Sequence, residues 1–149
     1  MEIQLGDIGN IIQLAIAPVF LLTGVGGNLL VLTNRLARII DRSRVLEDRI
    51  DAAPEIRQKE YFIELEVLYR RAHLVNRAIT LSTTCALLVC VVIAALFLGG
   101  ALGLDLATFI ATLFVLAMMA LIGSFMYLLK EIFVATGSMA MRRTPLIKS

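Results

Sequence analysis

The sequence predicts an all-α integral membrane protein with three transmembrane helices and a cytoplasmic antiparallel helical hairpin continuous with the first and second spans. Three observations predict it. Long uncharged windows occur three times, every basic residue falls between the first two windows or after the third, and the charged middle segment carries two heptad patterns separated by Ala52-Ala53-Pro54. Composition agrees, because 59% hydrophobic residues, a mean hydropathy of +0.87 and only 17% charge are too apolar for a soluble chain of 149 residues.

The windows run from Ile8 to Asn34, from Ala78 to Leu104 and from Leu106 to Leu129. Each exceeds the roughly 20 residues a helix needs to cross hydrocarbon, where a helix satisfies its own backbone hydrogen bonds. Of the 14 Lys and Arg residues, Lys130, Arg142, Arg143 and Lys148 follow the last window and all others lie from Arg35 to Arg77. The positive-inside rule therefore puts the hairpin and C-terminus in the cytoplasm and the N-terminus and Gly99–Asp105 connection outside. The expected organisation is an outside N-terminal segment and first span (1–34), the hairpin (35–77), the second span and short outside loop (78–104), the third span (105–130) and a cytoplasmic tail (131–149). The first window reads as a retained span rather than a signal peptide. Its flank MEIQLGD is acidic, and the small-x-small run Ala15-Ile16-Ala17 precedes most of the apolar stretch. Neither end carries a lipidation pattern.

Within the first span, Pro18 removes a backbone donor, and Thr23, Gly24, Gly26, Gly27 and Asn28 cluster halfway along. This predicts a break or a close approach. One reading is an unwound segment lining a polar path; the other is close packing of a neighbouring helix, with Asn28 bonded across the interface.

The descending arm follows a heptad at Leu29, Leu32, Leu36, Ile39, Ser43, Leu46 and Ile50. Pro54 and Glu55 suit the first turn of a return helix, whose seam is Tyr61, Leu65, Leu68, Ala72, Val75 and Ile79. Arms of 18 residues (Arg35 to Ala52) and 23 residues (Glu55 to Arg77) reach roughly 27 to 35 Å beyond the bilayer at ~1.5 Å per residue. Folding about Ala53 sets Arg49 opposite Glu60, but sets Arg42 and Arg35 opposite the apolar Val67 and Leu74. With Phe62 and Tyr69, these make the return arm's apolar face wider than one helix covers. Phe62, Val67, Tyr69 and Leu74 are therefore expected to meet a partner, first another copy of the chain and next a different membrane protein. Arg38 with Asp41, Arg44 with Asp48 and Glu66 with Arg70 are helix-spaced pairs on a solvated face.

At the membrane boundary the arms repeat a dipeptide, Asn34-Arg35 and Asn76-Arg77. It is either a collar that binds anionic lipid headgroups or rings a pore mouth, or an interfacial anchor of snorkelling arginines. In the second span Ser82, Ala86, Cys90 and Ala94 recur every four residues, a small-residue ridge on which a helix of the same or another chain packs. Ala107, Ala111, Ala120 and Ser124 of the third span are its counterparts. Beyond Lys130, Glu131 to Met141 reads as a frayed interfacial end interrupted at Gly137-Ser138.

No catalytic, cofactor-binding or metal-ligating constellation emerges. His73 stands alone, without an Glu-x-x-His or His-x-x-x-His spacing. Cys85 and Cys90 point about 140° apart on a helix, which excludes chelation and a disulfide between them. Glu60 and Glu64 share a face but lack a sheltered cleft. No P-loop or dinucleotide fingerprint occurs, and a net charge of +2 gives no reason to expect nucleic acid. The spans contain no Asp, Glu, Lys, Arg or His, which argues against an ion-coupled transporter.

Three stretches carry a resemblance. Ala17-Pro18-Val19-Phe20-Leu21-Leu22-Thr23-Gly24, then Leu32 to Arg42 (LTNRLARIIDR), and later Tyr69-Arg70-Arg71 to Asn76-Arg77 resemble a family of small bacterial membrane proteins whose function is unknown. The likeness runs through the third span and implies the bacterial inner membrane, but no activity. Two function classes follow from the residues. One is a non-enzymatic, homo-oligomeric scaffold or accessory subunit without cofactors. The other is a homo-oligomeric ion channel or pore whose first span lines the path.

Overall fold

The structure of the protein, a computed structural model, describes residues 5–143 and the side chains of residues 8–137. Residues 1–4 and 144–149, expected to begin the N-terminal segment and end the tail, lie outside the described residues. Three helices make up the described chain: α1 (Leu5–Ala52), α2 (Glu55–Leu102) and α3 (Ala107–Arg143). All three are long and apolar enough to cross a membrane, which makes this a multi-pass membrane protein.

α1 differs from expectation at its middle. It runs unbroken through Pro18 and the Thr23–Asn28 cluster, and no Cβ added at Gly24, Gly26 or Gly27 would meet an atom within 4 Å. There is neither a break nor a close approach there. A proline costs α1 one backbone bond, which a membrane helix tolerates when the turns around it are packed; Ala15 and Val25 on either side are buried. At the end of α1 the Ile50 carbonyl accepts the Ala53 N–H at 3.3 Å, and the Gln58 side-chain amide donates to the carbonyls of Ile50 (3.4 Å) and Ala53 (3.1 Å). The Pro54 carbonyl accepts the first backbone bonds of α2, from Arg57 at 2.9 Å and Gln58 at 3.3 Å.

The α2–α3 connection is shorter than the expected loop, since α2 extends to Leu102. Gly103 adopts a left-handed φ of 65°, and the Leu104 N–H closes back on the Gly99 carbonyl at 3.0 Å, the hydrogen-bonded helix ending that glycine permits. Asp105 then accepts the N–H of Ala107 at 3.3 Å, at the start of α3. α3 also runs further than expected. Gly137-Ser138 does not interrupt it, and it ends at Arg143 instead of fraying past Lys130.

The chain forms two compact units, Met1–Leu30 with Thr80–Gly123 and Val31–Ile79 with Ser124–Ser149. The first unit packs Val25 of α1, Cys85 and Val89 of α2 and Ala117 of α3 into one apolar cluster. Asn28 donates to the Ser82 hydroxyl at 2.8 Å, so Asn28 bonds across a helix interface. The tight approaches lie elsewhere than the first-span glycines. A Cβ at Gly100 would collide with the Ile11 side chain, and one at Gly123 would come within 3.0 Å of Leu81. The packed face of α2 also differs from the four-residue ridge. Ser82, Cys85, Val89, Val92 and Ala95 are buried, whereas Cys90 and Ala94 are exposed. Within the chain the seam follows steps of three and four, the spacing of a helix packed against neighbours, which a strict step of four leaves after two turns.

The second unit realises both heptads. Leu32, Ile39 and Leu46 of α1 and Leu68, Val75 and Ala78 of α2 form its buried cluster, flanked by Leu36, Tyr61, Leu65, Ala72 and Ile79. Tyr127 and Leu128 of α3 pack on the same cluster. The charge register departs from expectation. Arg42 pairs with Glu64 at 2.8 Å instead of facing only Val67, and Arg49 and Glu60 form no ion pair among the described residues.

Candidate functional site

α3 buries Ala117, Ser124 and Glu131, seven residues apart, along one stripe. The first is apolar, the second hydroxylic and the third charged. In the second unit, Ser124 donates to the Ala78 carbonyl at 2.8 Å, and one heptad on Glu131 reaches a site with no exposed surface. Its carboxylate lies between α1 and α2. Arg35 of α1 donates to Oε2 at 2.8 Å, and Arg71 of α2 donates to Oε1 through Nε at 2.9 Å and Nη2 at 2.8 Å. Both carboxylate oxygens are thus satisfied by guanidinium donors. Such bonding offsets the cost of burying a charge that would otherwise be strongly destabilising. The two arginines remain in part exposed, at 39% and 24% of their side chains, so the group carries a net positive charge toward solvent.

A second cationic group lies one turn away on α3. The Tyr127 hydroxyl accepts from Arg77 at 3.4 Å. The Arg77 guanidinium stands 5.9 Å and the Lys130 ammonium 5.8 Å from the centre of the Tyr127 ring, within cation–π range. On the arms, Tyr69 donates to the Glu47 carboxylate at 2.7 Å. That hydrogen bond, with the carboxylate's charge beside it, holds the Tyr69 phenol above its ordinary 10.0.

The sequence model of a family described as a protein of unknown function (DUF2721) matches residues 15–141, which is most of the chain. The protein belongs to the DUF2721 family. No curated protein and no solved structure gives a significant match. The matched span of this DUF2721 protein takes in the Arg35, Arg71 and Glu131 group and the Tyr127 cluster, so both lie inside the family's common region.

The residues singled out from the sequence fall into separate places in the DUF2721 chain. Phe62 and Tyr69 are exposed, at 55% and 56%, while Val67 and Leu74 are half-buried. Val67 and Leu74 lie four before and three after Arg71 on α2. Ser82 is buried and Ala86 half-buried, with Cys90 and Ala94 exposed. Of the boundary residues, Arg35 turns to Glu131 and Arg77 to Tyr127, while Asn34 and Asn76 are exposed. Thr23, Gly24, Gly26 and Gly27 are exposed on α1, with Thr23 bonded to its own helix at the Val19 carbonyl. Sequence reasoning missed Glu131 and Tyr127. The signal that pointed to Glu131 was Arg35, a seam-flanking cation with no carboxylate opposite it on the return arm.

Proposed function

We propose that this chain is a non-enzymatic protein of the bacterial inner membrane that self-associates as a scaffold or accessory subunit. Its N-terminus faces outside, and its helical hairpin and C-terminus face the cytoplasm. The observation that supports this best is the apolar surface left on α2 after α3 is in place. Ile56, Phe62, Ile63 and Tyr69 are 88%, 55%, 65% and 56% exposed on a stretch that also carries Arg57, Lys59 and Glu60 and is followed by Arg70. Those charges suit the stretch to water, where large exposed apolar side chains mark an association surface. A second copy is the partner proposed.

The test replaces Phe62 and Ile63 together with Glu in the full-length protein and reads the mass of the detergent-solubilised particle by light scattering. A multimer that falls to monomer while keeping its helix content supports the reading. A monomeric wild type overturns it. Cytoplasmic orientation is read separately by labelling a cysteine introduced at Phe62 from either side of the membrane.

A channel is the second reading, favoured by one observation: the α1 face of Thr23, Gly24 and Gly27 is uncovered within the chain. In an oligomer that face lines a path. Ion flux through liposomes that Gly27→Leu abolishes, without loss of the multimer, decides for it.

A further inference from the structure

Two pairs of cations in the Val31–Ile79 and Ser124–Ser149 unit differ in what they converge on. Arg35 and Arg71 share the Glu131 carboxylate, whereas Arg77 and Lys130 share the Tyr127 ring and form no ion pair among the described residues. Both Arg77 and Lys130 are exposed. Gathering two like charges on one ring, instead of dispersing them into solvent, raises the local positive potential and favours an anion beside them.

Position indicates which anion. Arg77 immediately precedes the uncharged run Ala78 to Leu104, and Lys130 immediately follows the run Leu106 to Leu129. Both therefore stand at the edge of segments apolar enough for hydrocarbon, the level at which a bilayer presents its phosphates. We propose that Arg77, Lys130 and Tyr127 form a binding site for the phosphate of an anionic phospholipid headgroup. Arg77 offers a planar fork of donors and Lys130 a point charge. The Tyr127 hydroxyl, which accepts from Arg77 at 3.4 Å, keeps its own O–H to donate to a phosphate oxygen. Simple snorkelling needs neither a shared ring nor a second cation. Arg35, expected to join such a collar, is held by Glu131 instead.

The inference rests on the membrane-boundary placement proposed above and not on self-association. The test is native mass spectrometry of the intact protein in detergent, with phosphatidylglycerol, phosphatidylcholine or inorganic phosphate added. The expected result is retention of phosphatidylglycerol over phosphatidylcholine. That preference falls roughly fivefold for each of Arg77→Gln and Lys130→Gln, falls less for Tyr127→Phe, and is largely kept by Arg77→Lys. An unchanged preference in the folded Arg77→Gln/Lys130→Gln variant overturns the site. So does inorganic phosphate binding to lipid-free protein with the same dependence on these residues, which would make the ligand a soluble anion. Release of the protein from membranes by alkaline carbonate would instead overturn the membrane placement itself. The subunit number read from the same spectra tests self-association independently.

Discussion

The two units hold their helices together by different means. In the Met1–Leu30 and Thr80–Gly123 unit the contacts are apolar and close, with Gly100 against Ile11, Gly123 against Leu81, and Asn28 bonded to Ser82. In the Val31–Ile79 and Ser124–Ser149 unit a heptad seam of Leu, Ile and Val is joined to α3 by a fully buried carboxylate. The contrast follows the composition of the two units, the first with few charged residues and the second carrying the charged arms. Hydrocarbon gives apolar side chains no reason to leave it, so association there relies on small residues and polar bonds. Water drives large side chains together and makes a wide apolar face costly to expose. The difference teaches that one continuous helix, α1 or α2, follows two sets of packing rules along its length.

Substitutions in the two units differ in expected cost. The largest effect is expected in the second unit. Glu131→Ala leaves Arg71 and Arg35 facing each other without an anion, at a cost of about 2–3 kcal/mol once their partial exposure is allowed for. The readout is a lowered melting temperature in detergent together with new protease cleavage after residue 131. Glu131→Gln, which keeps one acceptor oxygen, loses less. Equal losses for the two would assign the effect to packing instead of charge.

Next in size is Gly100→Leu in the first unit, which makes the flexible end of the Ile11 side chain shift and costs about 1 kcal/mol, the low end for overpacking because the site is at the surface. Gly27→Ala is its control. With open space around it and helical backbone throughout, it gains a few tenths to about 1 kcal/mol. Thermal unfolding of both variants checks the pair, and a tolerated Gly100→Leu would mean that the first unit is not closely packed there. Smaller still is Asn28→Leu, which removes the bond to Ser82 for about 0.6 kcal/mol. The smallest is Arg42→Gln, whose exposed pair with Glu64 contributes less than about 1 kcal/mol and fades in high salt.

How far the fold could be read from sequence follows the same division. The arm seams were legible because their apolar residues recur at heptad spacing, and Leu32, Ile39, Leu46, Leu68 and Val75 are buried where the pattern puts them. The spans were legible from composition. The contacts inside the first unit were not, because in an apolar segment nearly every face looks packable. Glycines and Pro18 suggested a break at α1, yet the close approaches occur at Gly100 and Gly123, whose partners Ile11 and Leu81 no local pattern marks. Glu131 was illegible for a different reason. Next to Lys130 it reads as an interfacial charge, and its burial depends on arginines 60 and 96 residues away in the chain.

Glu131 fastens α3 to both α1 and α2. Hydrogen exchange of the intact protein in detergent tests this most directly, read at the backbone amides of residues 131–137. The account predicts protection comparable to that of the seam at residues 65–79 in the wild type. In Glu131→Ala it predicts a selective loss over 131–137, with the seam unchanged. Rapid exchange over 131–137 in the wild type, or protection there that Glu131→Ala leaves intact, would contradict it.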